Sequence, residues 1–236
     1  MGAALGWGAL AASSLVLGAL LGLARTWPPR QIGIVLAFGA GALISAVSFD
    51  LVEEGAAIGE PGTVALGLGL GALTYYGLNR VVERRTSHGA TGAQGESAGP
   101  ALALGAFLDG IPEQLVLGIG LATGEGVSVA LLVAIFVSNL PEAIGSTTDL
   151  RAAGTPVKTI RRLWIAVAVI CTLASLVGYA VADNVSDDLK AVIDGFAAGA
   201  LLVMLVDSMI PEATRKGGQV AGLATVLGFA VAFGLA

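Results

Sequence analysis

Two apolar stretches near the middle of the chain carry the same interruption, and this narrows the fold more than any other feature. The first contains Asp109-Gly110-Ile111-Pro112-Glu113 and the second Ser138-Asn139-Leu140-Pro141-Glu142. Both interruptions lie inside runs long enough to cross a bilayer, where carboxylates are costly and usually functional. On a helix, Asp109 and Glu113 share a face at i,i+4, as do Ser138 and Glu142. Each proline lacks an N–H, so the carbonyls of Leu108 and Val137 lose their helical donor beside those polar groups. Two such helices facing each other would gather carboxylate, hydroxyl, amide and carbonyl oxygen at one depth, which is a site for a cation.

The rest of the chain agrees with a membrane setting. Apolar side chains make up 56% of the 236 residues and charged ones 12%, too oily for a soluble domain of this size, so residues 1–236 read as one transmembrane domain. Met1 to Ala24 has neither the positive start nor the cleavage site of a signal peptide and is expected to be a retained helix. Apolar runs at about Ala4–Ala24, Ile32–Phe49, Thr63–Leu78, Ala101–Ala122, Val127–Thr147, Leu163–Val181, Ala191–Val206 and Val220–Ala236 predict an all-α integral membrane protein with eight transmembrane helices. A flexible cytoplasmic loop is expected at about 80–100, where Thr86 to Pro100 is rich in Gly, Ser, Ala and Thr. Taken alternately, the connections place Arg25, Arg30, Arg80, Arg84, Arg85, Arg151, Lys158, Arg161, Arg162, Arg215 and Lys216 on one side and Lys190 on the other. The basic side is cytoplasmic by the positive-inside rule, which puts both termini outside, with the plasma membrane the expected location.

Acids extend the central cluster toward both faces. The second helix ends in Asp50, Glu53 and Glu54, toward the outside; the seventh ends in Asp207 and Glu212, toward the cytoplasm. These five are candidate path residues, and the opposed pair of acid-tipped helices suggests an inverted repeat, helices 1–3 against 6–8 around helices 4 and 5. Glu60, Glu125, Asp183, Asp187 and Asp188 add to an acidic outer rim, which either concentrates cations or is simply solvated. The competing readings are Asp50 and Asp207 as interfacial residues with access to water, Glu53 and Glu54 as rim rather than ligand, and Asp109, Glu113 and Glu142 as a buried network locking helices together. With no Lys or Arg inside the spans to neutralise those three, a cation or a proton is the expected partner. Cys171 reads as core packing and His88 as a solvated loop residue. Gly39, Gly41, Gly67, Gly69 and Gly71 read as close-packing positions between helices.

At these residues the chain resembles the ZIP family of divalent metal-ion transporters. The family pattern His-Asn-x-Pro-Glu-Gly of the fourth helix meets Asp109, Gly110, Ile111, Pro112, Glu113 and Gln114; that of the fifth, His-Asn/Glu-x-Pro-Glu, meets Ser138, Asn139, Leu140, Pro141 and Glu142. Met209-Ile210-Pro211-Glu212-Ala213 is also similar to the family's seventh helix. The resemblance implies transport of a divalent metal, with zinc, manganese or iron as substrate, held by Asp109, Glu113, Ser138, Asn139 and Glu142. The chain departs from the pattern by having no site histidine: Asp109, Ser138 and Asp50 stand where imidazole is usual. Gly110 replaces the Asn ligand of an adjacent second metal position, so one metal is expected rather than two. An all-oxygen shell is harder and shifts preference from zinc toward manganese, ferrous iron, magnesium or calcium, without excluding zinc. The partners expected are the metal ion and the lipid bilayer, with a homodimer as an option and no nucleic acid. The competing reading is a ZIP-like membrane protein without transport, serving a metal-sensing or structural role. An intramembrane hydrolase is disfavoured because no nucleophile–base dyad is recognisable and no histidine lies in any span.

Overall fold

The computed structural model describes residues 1–89, 98–122, 128–182 and 186–235; the side chains of Pro61, Val82, Glu83, residues 85–89 and residues 98–109 also fall outside the description. Glu125, Asp183, and the side chains of His88 and Asp109 are therefore not described. The described residues are helical with short connections and contain no strand. In chain order the helices are α1 (Gly2–Ala24), α2 (Pro29–Ile58), α3 (Pro61–Gly89), α4 (Ala98–Ala122), α5 (Val129–Ala152), α6 (Val157–Ala182), α7 (Asp187–Gly217) and α8 (Val220–Phe233). Among these, α1, α2, α5, α6 and α7 are long and apolar enough to cross a membrane, whereas Gly110–Ala122 of α4 and all of α8 are shorter apolar segments. The protein is thus an all-α integral membrane protein.

Several helices overrun the apolar stretches that announce them. The charged segments Arg80 to Arg85 and Asp187 to Lys190 are helical, because polar side chains at a helix end can sit in the interface while the backbone keeps its own hydrogen bonds. The same extension carries α3 to Gly89 and starts α4 at Ala98, so residues 80–89 and 98–100 of the loop expected at about 80–100 are helical, and 90–97 lie outside the described residues. Local chemistry sets the ends. Pro29 stands in the first turn of α2, where its missing N–H costs nothing. Ser128 and Ser186 cap α5 and α7 by accepting the Leu131 and Leu189 amides at 3.0 and 3.4 Å. Gly154 and Gly218 turn the chain with φ of +80° and +66°, a region open to glycine. The guanidinium of Arg151 donates to the carbonyls of Gly22 and Leu23 at 3.0 Å each, satisfying the end of α1 from α5.

The helices pack as α3 on α7, α2 on α8, α4 on α6, and α1 on both α5 and α6, with α2 reaching α5 and α7. Helix α2 is central and mostly buried, whereas most of α6 is not. Leu66, Leu70 and Leu73 of α3, Ile165, Val169 and Leu173 of α6, and Leu223, Val226 and Leu227 of α8 are exposed, the outward face expected of helices that meet lipid.

Small residues make the contacts possible. The pattern Phe38-Gly39-Ala40-Gly41-Ala42-Leu43 in α2 recurs in α7 as Phe196-Ala197-Ala198-Gly199-Ala200-Leu201. The two copies are packed alike. Gly41 lies against the Thr225 carbonyl of α8, and Gly199 against the Leu68 carbonyl of α3; the Phe38 carbonyl meets Gly228, and the Phe196 carbonyl meets Gly71. A Cβ at any of these glycines would collide with backbone. Four residues past each leucine the helix widens into a π turn, Val47–Glu53 in α2 and Leu205–Met209 in α7. Such widened turns are frequent at functional sites. Of the glycines expected to mediate packing, Gly39, Gly41, Gly67 and Gly71 do so, but Gly69 has nothing within 4 Å of the place its Cβ would take. Gly69 is two residues, about 200° of helix, from both Gly67 and Gly71, so it faces away from α7.

Candidate metal site

Pro112 and Pro141 lie inside continuous helices, so neither interrupts its span. Beside them the polar side chains turn inward. Glu113 is 1% exposed, Ser138 1% and Asn139 3%, while Glu142 is half-buried. The Ser138 hydroxyl donates to the Ile135 carbonyl at 3.0 Å, leaving its oxygen lone pairs available to a further group. The amide nitrogen of Asn139 is buried without a hydrogen-bond partner.

Helix α6 packs against the first motif. The Cys171 thiol interacts electrostatically with both Glu113 and Glu142, and its sulfur would be 2.6 Å from a Cβ on Gly110. Glycine at 110 is therefore what lets α6 close on the Asp109–Glu113 turn. Cys171 is fully buried and packs with Ala12, Leu15 and Trp164. Among the described residues no three Asp, Glu, His or Cys side chains converge closely enough to hold a metal by themselves. Oxygen from Ser138, Asn139 and the undescribed Asp109 side chain would have to complete a shell around Glu113 and Glu142.

The acids read from sequence as path residues separate by environment. Asp50, in the π turn of α2, is half-buried and hydrogen-bonded to the side chain of Ser128, which caps α5. One of its carboxylate oxygens is buried without a hydrogen-bond partner. Glu53 is exposed and Glu54 half-buried. Asp207, in the π turn of α7, is exposed, and Glu212 is held in an ion pair by Lys216.

Three further polar side chains are drawn inward without being singled out by sequence reasoning. Gln114 is fully buried, with both ends of its amide lacking a hydrogen-bond partner and its oxygen turned toward Gly8 and Ser175. Asp194 of α7 is 8% exposed against Gly55 of α2, with Lys190 as its electrostatic neighbour. The third is Lys216, mostly buried beside Glu212. The i,i+4 spacings Lys190–Asp194 and Glu212–Lys216 are the available signals for two of the three; nothing in the sequence distinguishes Gln114 as buried.

Comparison with known proteins bears on the same segment. The family described as ZIP zinc transporter matches residues 78–236, which include both Pro-Glu motifs and the π turn of α7. A relative from Arabidopsis thaliana that carries a provisional name as a zinc transporter is 29% identical over 204 residues. That match takes in 84% of this chain but 33% of the relative, so the chain spans about a third of the relative's length. By the family match across residues 78–236, this chain belongs to the ZIP zinc transporter family.

Proposed function

We propose that the chain carries a divalent metal ion across a membrane through a site between α4 and α5, with Asp109, Glu113, Ser138, Asn139 and Glu142 supplying oxygen. The observation that carries this reading is the burial of Glu113, Ser138 and Asn139 beside the prolines of two apolar helices. Buried carboxylates inside a span call for a compensating cation or proton, and a transported metal supplies the former. Zinc, manganese and ferrous iron all suit oxygen donors, and the absence of imidazole among these five residues favours the harder ions.

The architecture proposed is eight spanning helices in one domain, built as an inverted repeat of helices 1–3 and 6–8 around α4 and α5. Its support is the recurrence of the Phe-x-Ala-Gly-Ala-Leu pattern, each copy followed by a π turn. Packing supports it as well: exchanging 1 with 6, 2 with 7, 3 with 8 and 4 with 5 carries the contact α3 on α7 into α8 on α2, and α1 on α5 into α6 on α4. By the positive-inside rule the basic connections support an orientation with both termini outside.

Uptake into proteoliposomes tests the reading. Wild-type protein is expected to move zinc or manganese, and Glu113→Gln or Glu142→Gln to reduce uptake about a hundredfold with the protein still folded, because each removes charge that offsets metal dehydration. Full uptake by both variants would remove these carboxylates from the mechanism. Metal binding without uptake in the wild type would favour the alternative, a ZIP-like sensor or structural protein.

A further inference from the structure

One positive charge belonging to the chain closes the seam formed by α2, α5 and α7. At the level of the candidate site, a Cβ on Gly39 would stand 2.9 Å from Ser138 Cα and 3.2 Å from Met209 Cε, so the three helices meet there. Seven residues further along α5, about 10 Å at the helical rise, a Cβ on Gly145 would stand 3.3 Å from Lys216 Nζ and 3.9 Å from Glu212 Oε1. Gly145 is three residues past Glu142, so the ammonium lies about one turn beyond that carboxylate on a neighbouring part of the same helix face. Helix α2 holds the other side: Gly33 is pressed on the backbone of Lys216 and Gly217, with no room for a side chain.

The burial of this ion pair is the reverse of the usual one. A lysine in the last turn of a helix ordinarily extends its amine to water, but here the Lys216 side chain is 12% exposed and that of its partner Glu212 40%. The amine is aimed inward, and the space it enters exists because position 145 has no side chain. Glu212, a carboxylate at this end of the seam, is thereby paired with a charge of the chain's own.

Resting on the transport reading above, we propose that Lys216 is a tethered cation occupying the inner end of the metal path, and that a metal ion leaves by displacing the ammonium from Glu212. A partly exposed pair of this kind exchanges readily, and a divalent ion at Glu142 repels the ammonium while competing for its carboxylate. Displacement turns Lys216 toward water at the end of α7, where Arg215 and Gly218 are exposed.

Removing the two charges singly and together, with zinc or manganese uptake into proteoliposomes as the readout, tests the displacement. Lys216→Gln is expected to raise the maximum rate about threefold, and Glu212→Gln to lower it about tenfold, because the ammonium is left in the seam without a counter-charge. The double variant Glu212→Gln with Lys216→Gln is expected to return to within about twofold of wild type. A pair that only braces helices would make the double variant no better than Glu212→Gln, and that result overturns the proposal. A second readout separates the proposal from the transport reading: labelling of Lys216 by a water-soluble amine reagent, with exposed Lys158 as reference. Manganese is expected to accelerate labelling of Lys216 relative to Lys158. Uptake with unchanged labelling overturns the displacement alone, whereas absence of wild-type uptake overturns the transport reading, and unchanged labelling in that case overturns both.

Discussion

The π turns of α2 and α7 follow the same six-residue pattern at the same interval, yet they present their acids differently. Seven residues past the shared leucine stands Asp50 in α2 but Ser208 in α7; six residues past it stand Phe49 and Asp207. Phe49 points to α8, where its ring centroid is 6.2 Å from that of Phe229 and 5.1 Å from that of Phe233. Asp207 occupies the position equivalent to Phe49 and is exposed, while Asp50 turns to the capping serine of α5. A shift of one residue rotates a helical side chain by roughly 100°, enough to move a carboxylate from the interior to the outside. Matching acids between the halves are instead Glu54 and Glu212, each eleven residues past its leucine. Repetition of backbone therefore does not carry repetition of chemistry with it.

The first way to break this comparison is through its packing. Gly41→Ala and Gly199→Ala each drive a Cβ into a backbone carbonyl on the neighbouring helix, and each is expected to destabilise the protein by about 2–3 kcal/mol. Thermal unfolding in detergent would show it as similar losses for both; a variant that keeps wild-type stability would mean that the two interfaces are not equivalent.

Next in size is the difference between the aspartates. Asp50→Asn is expected to lower metal uptake about tenfold, since a half-buried acid is altered, and Asp207→Asn by about twofold or less, since an exposed charge is screened by water. Equal effects would assign Asp207 to the path despite its exposure. A smaller effect is expected for metal preference at the proposed site between α4 and α5. The double change Asp109→His with Ser138→His should raise the zinc-to-manganese uptake ratio about fivefold, because imidazole nitrogen suits zinc better than a hydroxyl does. Competitive uptake at matched protein amounts measures the ratio, and a manganese-shifted ratio would remove these positions from selectivity. The smallest effect is reserved for Gly69→Ala, which meets nothing within 4 Å and should change stability by no more than about 0.5 kcal/mol, in contrast to its neighbours Gly67 and Gly71.

What the amino-acid sequence determined by itself was the solvent and the material of the fold. Apolar runs of bilayer length leave helices as the economical way to satisfy the backbone, and carboxylates beside Pro112 and Pro141 mark the costly positions whatever surrounds them. The burial of Glu113 and Asn139 was legible for that reason, as was family membership through the two Pro-Glu motifs.

Tertiary structure alone decided the fate of residues whose chemistry depends on a neighbour distant in the chain. Gly69 has the same composition and context as Gly67 and Gly71 but faces away from α7. The Cys171 thiol, unremarkable in its apolar run, is placed against Gly110 of α4. Lys216 reads as an ordinary basic residue at a cytoplasmic helix end until Gly33 and Gly145 admit it to the seam. Helical periodicity states which side chains share a face, but which helix that face meets, and at what depth, follows from packing between segments far apart in the chain, where a shift of one sequence position is enough to exchange inside for outside.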